Sequence, residues 1–338
     1  MEYLSGFFAI TPTLLLVIIW SLKHPSVKNF LLIAFVLRVT WLVLNSYIPI
    51  FSIDSSDQAF FEYRAIFYSN EYGLSVIKEF YKHDSLLVSK IISIFYTLFG
   101  ESEMIARCLS IGVSTASVYL VYSLSLMLWD HNAAKKAAWL MATFPTIILY
   151  SSSILREPYI IFILLISLIN SVRFIREETI KSFLYTLISF FILSYFHGAM
   201  TIGLFILLFF LTLRHTKKFF KDLKNFKLNV RTVLFLVLGL IPLIVFLIYN
   251  YQLPYIGGIK TIFNFDLLID IFNGKRNSFG NTTYLSSLPD NNLYEFIQKL
   301  TLKLFYFTYG PFFWNINTTY HILGFIDGMI YFVLTIYI

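Results

Sequence analysis

Charged residues are scarce in this chain. Of its 338 residues, 13% are Asp, Glu, Lys or Arg and 58% are hydrophobic, whereas a soluble domain carries about 25% charge. The single cysteine, Cys108, excludes an intrachain disulfide. Internal repeats, a Walker motif, a dinucleotide fingerprint and His/Cys metal-ligand spacing are also missing, and the first apolar run lacks the basic flank of a signal peptide. These absences argue against a soluble enzyme, a disulfide-stabilised secreted domain and a nucleotide-binding protein.

Long apolar runs dominate the chain. Several reach about 20 residues, enough for a helix to cross a hydrocarbon core about 30 Å thick. We therefore expect an all-α fold, a polytopic transmembrane helix bundle of about nine spans within a single domain, 1–338. The predicted spans are 5–22, 30–51, 107–129, 137–153, 158–172, 182–196, 198–213, 232–251 and 320–338.

The distribution of Lys and Arg between the loops predicts the orientation. Outside the predicted spans, one side carries 14 Lys and Arg with four acids, and the other carries 10 with 14 acids. Cytoplasmic loops are enriched in Lys and Arg, so the first side is predicted to be cytoplasmic, with the N-terminus outside and the C-terminus inside. The basic loop 214–231 then contacts anionic membrane lipids, and no nucleic-acid partner is expected.

Two predicted outer segments, 52–106 and 252–319, are too long to be simple turns. In the first, apolar residues recur at helical spacing but charges interrupt them, which predicts amphipathic helices on the outer leaflet. The second contains an aromatic-rich stretch suited to the membrane interface. Together they predict a pocket that opens at the outer face.

Two acids, Asp54 and Asp57, follow the second span directly. A carboxylate near the outer surface can act as a general base on an acceptor hydroxyl. The alternative is that these acids cap the next helix.

The residues after Asp57 carry a family resemblance. In "DQAFFEYRA" an aromatic stands four residues after Asp57 and an alanine eight residues after it. The stretches "IFYTLFGESEMIARCLSIGVSTASVYLVYSL" and "AAWLMATFPTIILYSSSILREPYIIFILLISL" follow in order. Together they resemble the GT-C glycosyltransferases, such as aminoarabinose transferases and protein O-mannosyltransferases, over about residues 30–175. The later stretch "YGPFFWNINTTYHILGFIDGMIYF" is similar to bacterial surface-polysaccharide members.

The resemblance implies an inverting enzyme that transfers a sugar at the outer face from a polyprenyl-phosphate-linked donor to a saccharide or lipid acceptor. It implies that Asp57 is the catalytic base, with Asp54 in reserve. Two departures leave the acceptor and the use of a divalent cation open: Gln58 stands where an acid often follows, and "HDSLL" replaces a proline-rich stretch. No cofactor is otherwise predicted and no metal ligand is assigned.

Arg156 and Glu157 interrupt two apolar runs at the predicted outer face, and Pro158 suits the first turn of the next helix. A helix N-terminus attracts anions, and a guanidinium matches phosphate oxygens. We therefore expect Arg156 to bind the donor phosphate, with Glu157 orienting it. Arg107, which opens the third span, is a further candidate for the donor phosphate. In the alternative interpretation both arginines only extend to the interface.

Weaker candidates complete the predicted site. His83, Asp84 and His197 are assigned to substrate binding, although a His-Gly turn at His197 also suits simple packing. Arg38 and Asp327 lie inside predicted spans, where ionisable groups usually face the bundle interior or a cavity. We expect Arg38 to form an ion pair with Asp327 or with an acid of an outer segment.

Other functions fit the same features. An O-antigen-type polymerase would use similar substrates at the same face. A lipid-oligosaccharide flippase or transporter would place its site in the middle of the membrane, and a non-catalytic assembly subunit would need no base at all. The expected location in each case is the bacterial inner membrane.

Overall fold

The computed structural model describes residues 2–47, 56–82, 85–198, 200–224, 293–317 and 319–337, with four isolated positions between 230 and 240. Across these ranges the chain is helical and contains no strand, which confirms the predicted all-α class. Short 3₁₀ segments occur at Pro25–Val27, Gly73–Glu79 and Phe313–Asn315. The α-helices are α1 Glu2–Lys23, α2 Lys28–Tyr47, α3 Ser56–Tyr72, α4 Leu87–Phe99, α5 Glu103–Leu128, α6 His131–Thr143, α7 Pro145–Ser151, α8 Glu157–Glu177, α9 Ile180–Phe196, α10 Met200–Lys224, α11 Leu293–Tyr309 and α12 Thr319–Tyr337.

Three segments of the described chain are long and apolar enough to cross a membrane: Pro25–Ser46, Glu103–Leu128 and Glu157–Glu177. Shorter apolar helices cover most of the other predicted spans. They are Phe8–Lys23, Ile180–Phe196, Met200–Arg214 and His321–Tyr337. A further apolar helix, Leu87–Phe99, lies in the predicted outer segment 52–106, where no span was predicted. The predicted span 232–251 falls largely outside the described residues, so the count of nine stays a prediction.

The helices fall into two compact units. The first comprises Met1–His197 and Pro311–Ile338, and the second comprises Gly198–Gly310. The first unit contains α1 to α9 and α12, and the second contains α10 and α11.

Helix α5 is the centre of the first unit and packs against α1, α2, α6 and α8. Its buried face is rich in small side chains, including Ser110, Ser114, Ala116 and Ser117. Small residues let helix backbones approach closely where the lipid-exposed alternative is equally apolar. On the side facing α1, a Cβ added at Gly112 would lie 3.3 Å from Thr13 Cγ2, so α1 and α5 meet closely at this point.

Helices α3 and α4 lie in the first predicted outer segment and pack against each other. The Ser89 hydroxyl of α4 donates a hydrogen bond of 2.8 Å to the Phe61 carbonyl of α3. The buried Lys90 Nζ donates to the carbonyls of Glu79 at 2.9 Å and of Lys82 at 3.3 Å. These bonds fix the position of Phe61, which the candidate site uses.

The predicted span 137–153 is broken in the structure. Helix α6 ends at Thr143, Phe144 is extended with φ −64° and ψ 123°, and Pro145 opens α7. A residue before proline disfavours helical geometry, and proline has no N–H for the carbonyl of Met141.

Arg38 fills this break from α2. Its Nη2 donates to the Met141 carbonyl and its Nη1 to the Ala142 carbonyl, each at 3.1 Å, and its Nε donates to Ser114 Oγ at 3.0 Å. The side chain is 0% exposed. The expected ion pair of Arg38 with Asp327 or an outer acid is absent among the described residues, because the guanidinium is occupied by backbone carbonyls. Arg38 therefore has a structural role.

We expect Arg38→Met to lower the thermal stability of the purified protein strongly, since each orphaned buried carbonyl costs about 1–3 kcal/mol. In that background Pro145→Ala should restore part of the loss, because residue 145 regains an N–H for the Met141 carbonyl. The measurement is thermal unfolding in detergent, with the exposed Arg173 replaced by Met as control. Equal stability of Arg38→Met and Arg173→Met would contradict the assigned role.

Candidate functional site

Arg156 stands at the N-terminus of α8. It is the N-cap residue, with Glu157 and Pro158 in the first turn. The first N–H groups of a helix have no partner within the helix and carry its partial positive charge. Arg156 thus adds a full positive charge at a helix end that already favours anions.

The Arg156 side chain is held loosely. Its guanidinium lies 5.7 Å from the centre of the Phe61 ring, and its Nε is 3.9 Å from Glu157 Oε1. Within the described ranges it makes no side-chain hydrogen bond of normal geometry. The N–H donors of Arg156 therefore remain available for a ligand with oxygen acceptors.

Phe61 connects Arg156 with Asp57. Asp57 is exposed and lies in the first turn of α3. Phe61 is four residues further along and 5% exposed, so the two side chains share one face of the helix. Arg156, which is 99 positions from Asp57 in the sequence, thus lies over the ring of a residue one helical turn from Asp57.

A second polar cluster lies beside the first. Gln58 Nε2 donates to Glu103 Oε1 at 2.9 Å, and Arg107 Nη2 donates to the same oxygen. Arg107 Nη1 lies 3.5 Å from Ser46 Oγ. Glu103 therefore joins the starts of α3 and α5, next to Asp57.

The two predicted phosphate-binding arginines differ in their surroundings. Arg107 is 9% exposed and its charge is balanced by Glu103. Arg156 has only the distant contact with Glu157. Of the two, Arg156 is the better candidate for an anionic ligand, and Arg107 is placed to position Gln58 and Glu103.

His197 caps the C-terminus of α9 near Arg156. The preceding Phe196 stacks on Tyr159 of α8 with a centroid distance of 5.8 Å. Burial, and to a smaller extent the Arg156 guanidinium, lower the pKa of His197 below the usual histidine value. The neutral imidazole is therefore favoured, which suits a hydrogen-bonding role more than an ionic one.

Two further carboxylates are those of Glu157, in the first turn of α8, and Asp327 of α12. Glu157 Oε2 is buried without a hydrogen-bond partner in the described part of the chain, whereas the buried Asp327 carboxylate interacts with the backbone N–H of Thr146. Tyr150 of α7 interacts electrostatically with both acids. Asp327 lies eight residues into α12, about 12 Å along the helix axis. A buried acceptor without a partner favours a ligand that donates hydrogen bonds, such as a hydroxyl group.

Three members of this site were not predicted. Glu103 stands four residues before Arg107, a spacing that pairs opposite charges on a helix, so its signal was present in the sequence. Phe61 was noted only as part of a motif. No pattern in the sequence indicated that Tyr150 belongs to the site, because its neighbours there come from other helices.

Some predicted site residues lie outside the described residues. They are Asp54, His83 and Asp84. Within the described ranges no group of three or more His, Cys, Asp or Glu side chains is placed to hold a metal ion.

The chain matches no protein-family model, no curated protein and no solved structure. What the site does must therefore be inferred from its own residues and their geometry.

We expect Arg156→Ala to raise the pKa of His197 part of the way to its usual value. The substitution removes the repulsive cation but leaves the burial, which is the larger cause. The measurement is an NMR titration of histidine-labelled protein, with the His197 signal assigned by its loss in His197→Gln. Arg64→Ala is the control, since Arg64 also lies over a phenylalanine ring, that of Phe60, at 5.6 Å. A His197 titration that Arg156→Ala leaves unchanged would contradict the described contact.

Proposed function

We propose that this chain is an integral membrane glycosyltransferase of GT-C type that takes a sugar from a polyprenyl-phosphate-linked donor. The observation that carries the proposal is the position of the available Arg156 guanidinium over Phe61, one helical turn from the exposed Asp57. A base and a phosphate-binding cation side by side are what such a transfer needs. The resemblance of residues 30–175 to this superfamily supports the same reaction.

The proposed reaction is a single displacement at the anomeric carbon. Asp57 accepts the proton of the acceptor hydroxyl, and the acceptor oxygen forms the new bond to the anomeric carbon. The bond from that carbon to the phosphate oxygen breaks as the electron pair moves to the phosphate. Arg156 and the N–H groups at the start of α8 stabilise the charge of the leaving phosphate.

The neighbouring groups have supporting roles in this proposal. Gln58, Glu103 and Arg107 fix the first turn of α3 and hence the direction of Asp57. The carboxylate oxygens of Glu157 and Asp327 accept hydrogen bonds from saccharide hydroxyl groups, and neutral His197 does the same beside the phosphate. No cofactor is assigned to the site, and use of a divalent cation stays open.

In this proposal the site faces outward in a nine-span bundle of the bacterial inner membrane. The excess of Lys and Arg on the opposite side supports that orientation. Helices α3 and α4 then lie on the outer leaflet beside the site, and a lipid phosphate lies at the depth of Arg156. Assembly of a surface polysaccharide or glycolipid is the process served, and a repeat-unit polymerase is the nearest related activity.

A lipid-oligosaccharide transporter is the second candidate. The helix break at Phe144 and the buried Asp327 favour it, because transporters place broken helices and ionisable groups at mid-membrane. Arg38 weighs against it, since its buried guanidinium already donates to the carbonyls of Met141 and Ala142 at the break. The two candidates differ in the acid that function requires, Asp57 or Asp327.

We expect Asp57→Asn to lower product formation by about 10²- to 10⁴-fold, because it removes the general base. Arg156→Ala should lower it by about 10²- to 10³-fold, through lost stabilisation of the leaving group. The measurement is the surface-polysaccharide profile of the host strain at matched membrane expression. Glu71→Gln and Arg173→Ala are the controls, since Glu71 is exposed near the end of α3 and Arg173 is exposed 17 positions beyond Arg156 on α8.

Each result has a defined meaning. A missing single sugar indicates a transferase, and one unpolymerised repeat indicates a polymerase. An intact profile in both Asp57→Asn and Arg156→Ala, with loss in Asp327→Asn, would overturn the enzyme and favour the transporter.

A further inference from the structure

A groove between α1, α2 and α5 shares no lining residue with the candidate active site. It has a volume of about 580 Å³ and is lined mainly by apolar side chains, among them Leu16, Val17, Leu31 and Ala116. Leu16 is 67% exposed and Ile19 is 51% exposed, so the groove opens sideways. In a membrane this opening faces lipid chains.

Thr115 gives the groove a polar group without a partner. It lines the groove and is 1% exposed, and its hydroxyl forms no hydrogen bond among the described residues. Neighbouring hydroxyls behave differently. Those of Ser110, Ser117 and Thr13 each bond to the carbonyl four residues earlier in their own helix. The Thr115 hydroxyl therefore points to a ligand that supplies a hydrogen-bond acceptor.

Two basic residues, Lys23 and His24, line one end of the groove. The His24 ring is fixed against Tyr119 of α5, with ring centroids 4.3 Å apart. Lys23 is exposed and forms no ion pair in the described part of the chain. This end thus presents positive charge without a protein counter-ion, as a binding site for an anionic group would.

The dimensions of the groove match one leaflet. From Thr13 to Lys23 it covers ten residues of α1, about 15 Å at 1.5 Å per residue. That is half of a hydrocarbon core about 30 Å thick. The close approach of Gly112 to Thr13 closes the groove at its inner end. One lipid of one leaflet therefore fits it, with its head at Lys23.

We propose that this groove is a binding site for an anionic phospholipid. The headgroup phosphate lies at Lys23 and His24. Thr115 lies four residues, about 6 Å, from Tyr119 along α5, on the acyl-chain side of the phosphate, where its hydroxyl donates to a glycerol ester carbonyl. An acyl chain then follows the apolar wall towards Gly112. The proposal requires insertion of the chain in a membrane and is independent of the proposed transferase activity.

The test is native mass spectrometry of the purified full-length protein exchanged into mixed micelles with phosphatidylglycerol or phosphatidylcholine. We expect the wild type to retain phosphatidylglycerol about fivefold better, the preference that about one Lys near an anionic lipid confers. Lys23→Gln should abolish the preference. Lys181→Gln is the matched control, since Lys181 is exposed, lies on α9 and is basic on the same predicted side.

A second variant tests the proposed hydrogen bond from Thr115 to the lipid ester carbonyl. Thr115→Val keeps the shape of the side chain and removes the donor, so it should lower retention of both phospholipids without changing their ratio. Equal retention of the two lipids by the wild type would overturn the proposal. So would equal effects of Lys23→Gln and Lys181→Gln, or unchanged retention in Thr115→Val.

Discussion

An unpaired polar group in hydrocarbon costs several kcal/mol, and this cost governs where the charges of the bundle lie. Pro145 frees backbone carbonyls in the middle of a predicted span, and Arg38 of α2 supplies the missing donors. At the start of α5, Glu103 balances Arg107 in the same way. Most ionisable groups inside the bundle are thus explained by the polar atoms that they satisfy.

The groups that remain without such partners identify the candidate site. Arg156 has spare donors at a helix N-terminus, Asp57 is exposed one turn from Phe61, and Glu157 Oε2 is buried without a donor among the described residues. A protein that served only as a scaffold would gain stability by pairing or removing these charges. Their presence in one unit supports the proposed ligand, which has both an anionic and a hydroxyl-bearing part.

Apolar periodicity was enough to predict the helical class, because runs of about 20 apolar residues have few alternatives to a helix in a membrane. Asp57 and Arg156 were also found, since charges beside apolar runs are rare. The position of Arg156 over Phe61 was not predictable, because it depends on how α3 packs near the start of α8. The role of Arg38 was missed for the same reason: the two carbonyls that it bonds at the helix break lie more than 100 residues away in the chain.

The most direct test of the central claim, that Asp57 and Arg156 share one outward-facing phosphate site, is chemical labelling of Asp57→Cys. The only native cysteine, Cys108, is buried and can be replaced by Ala. In right-side-out membrane vesicles an impermeant maleimide should label residue 57, and added polyprenyl phosphate should slow the labelling unless Arg156 is replaced by Ala. Lys23→Cys should react only after permeabilisation. Labelling of residue 57 only after permeabilisation, or protection that does not depend on Arg156, would contradict the account.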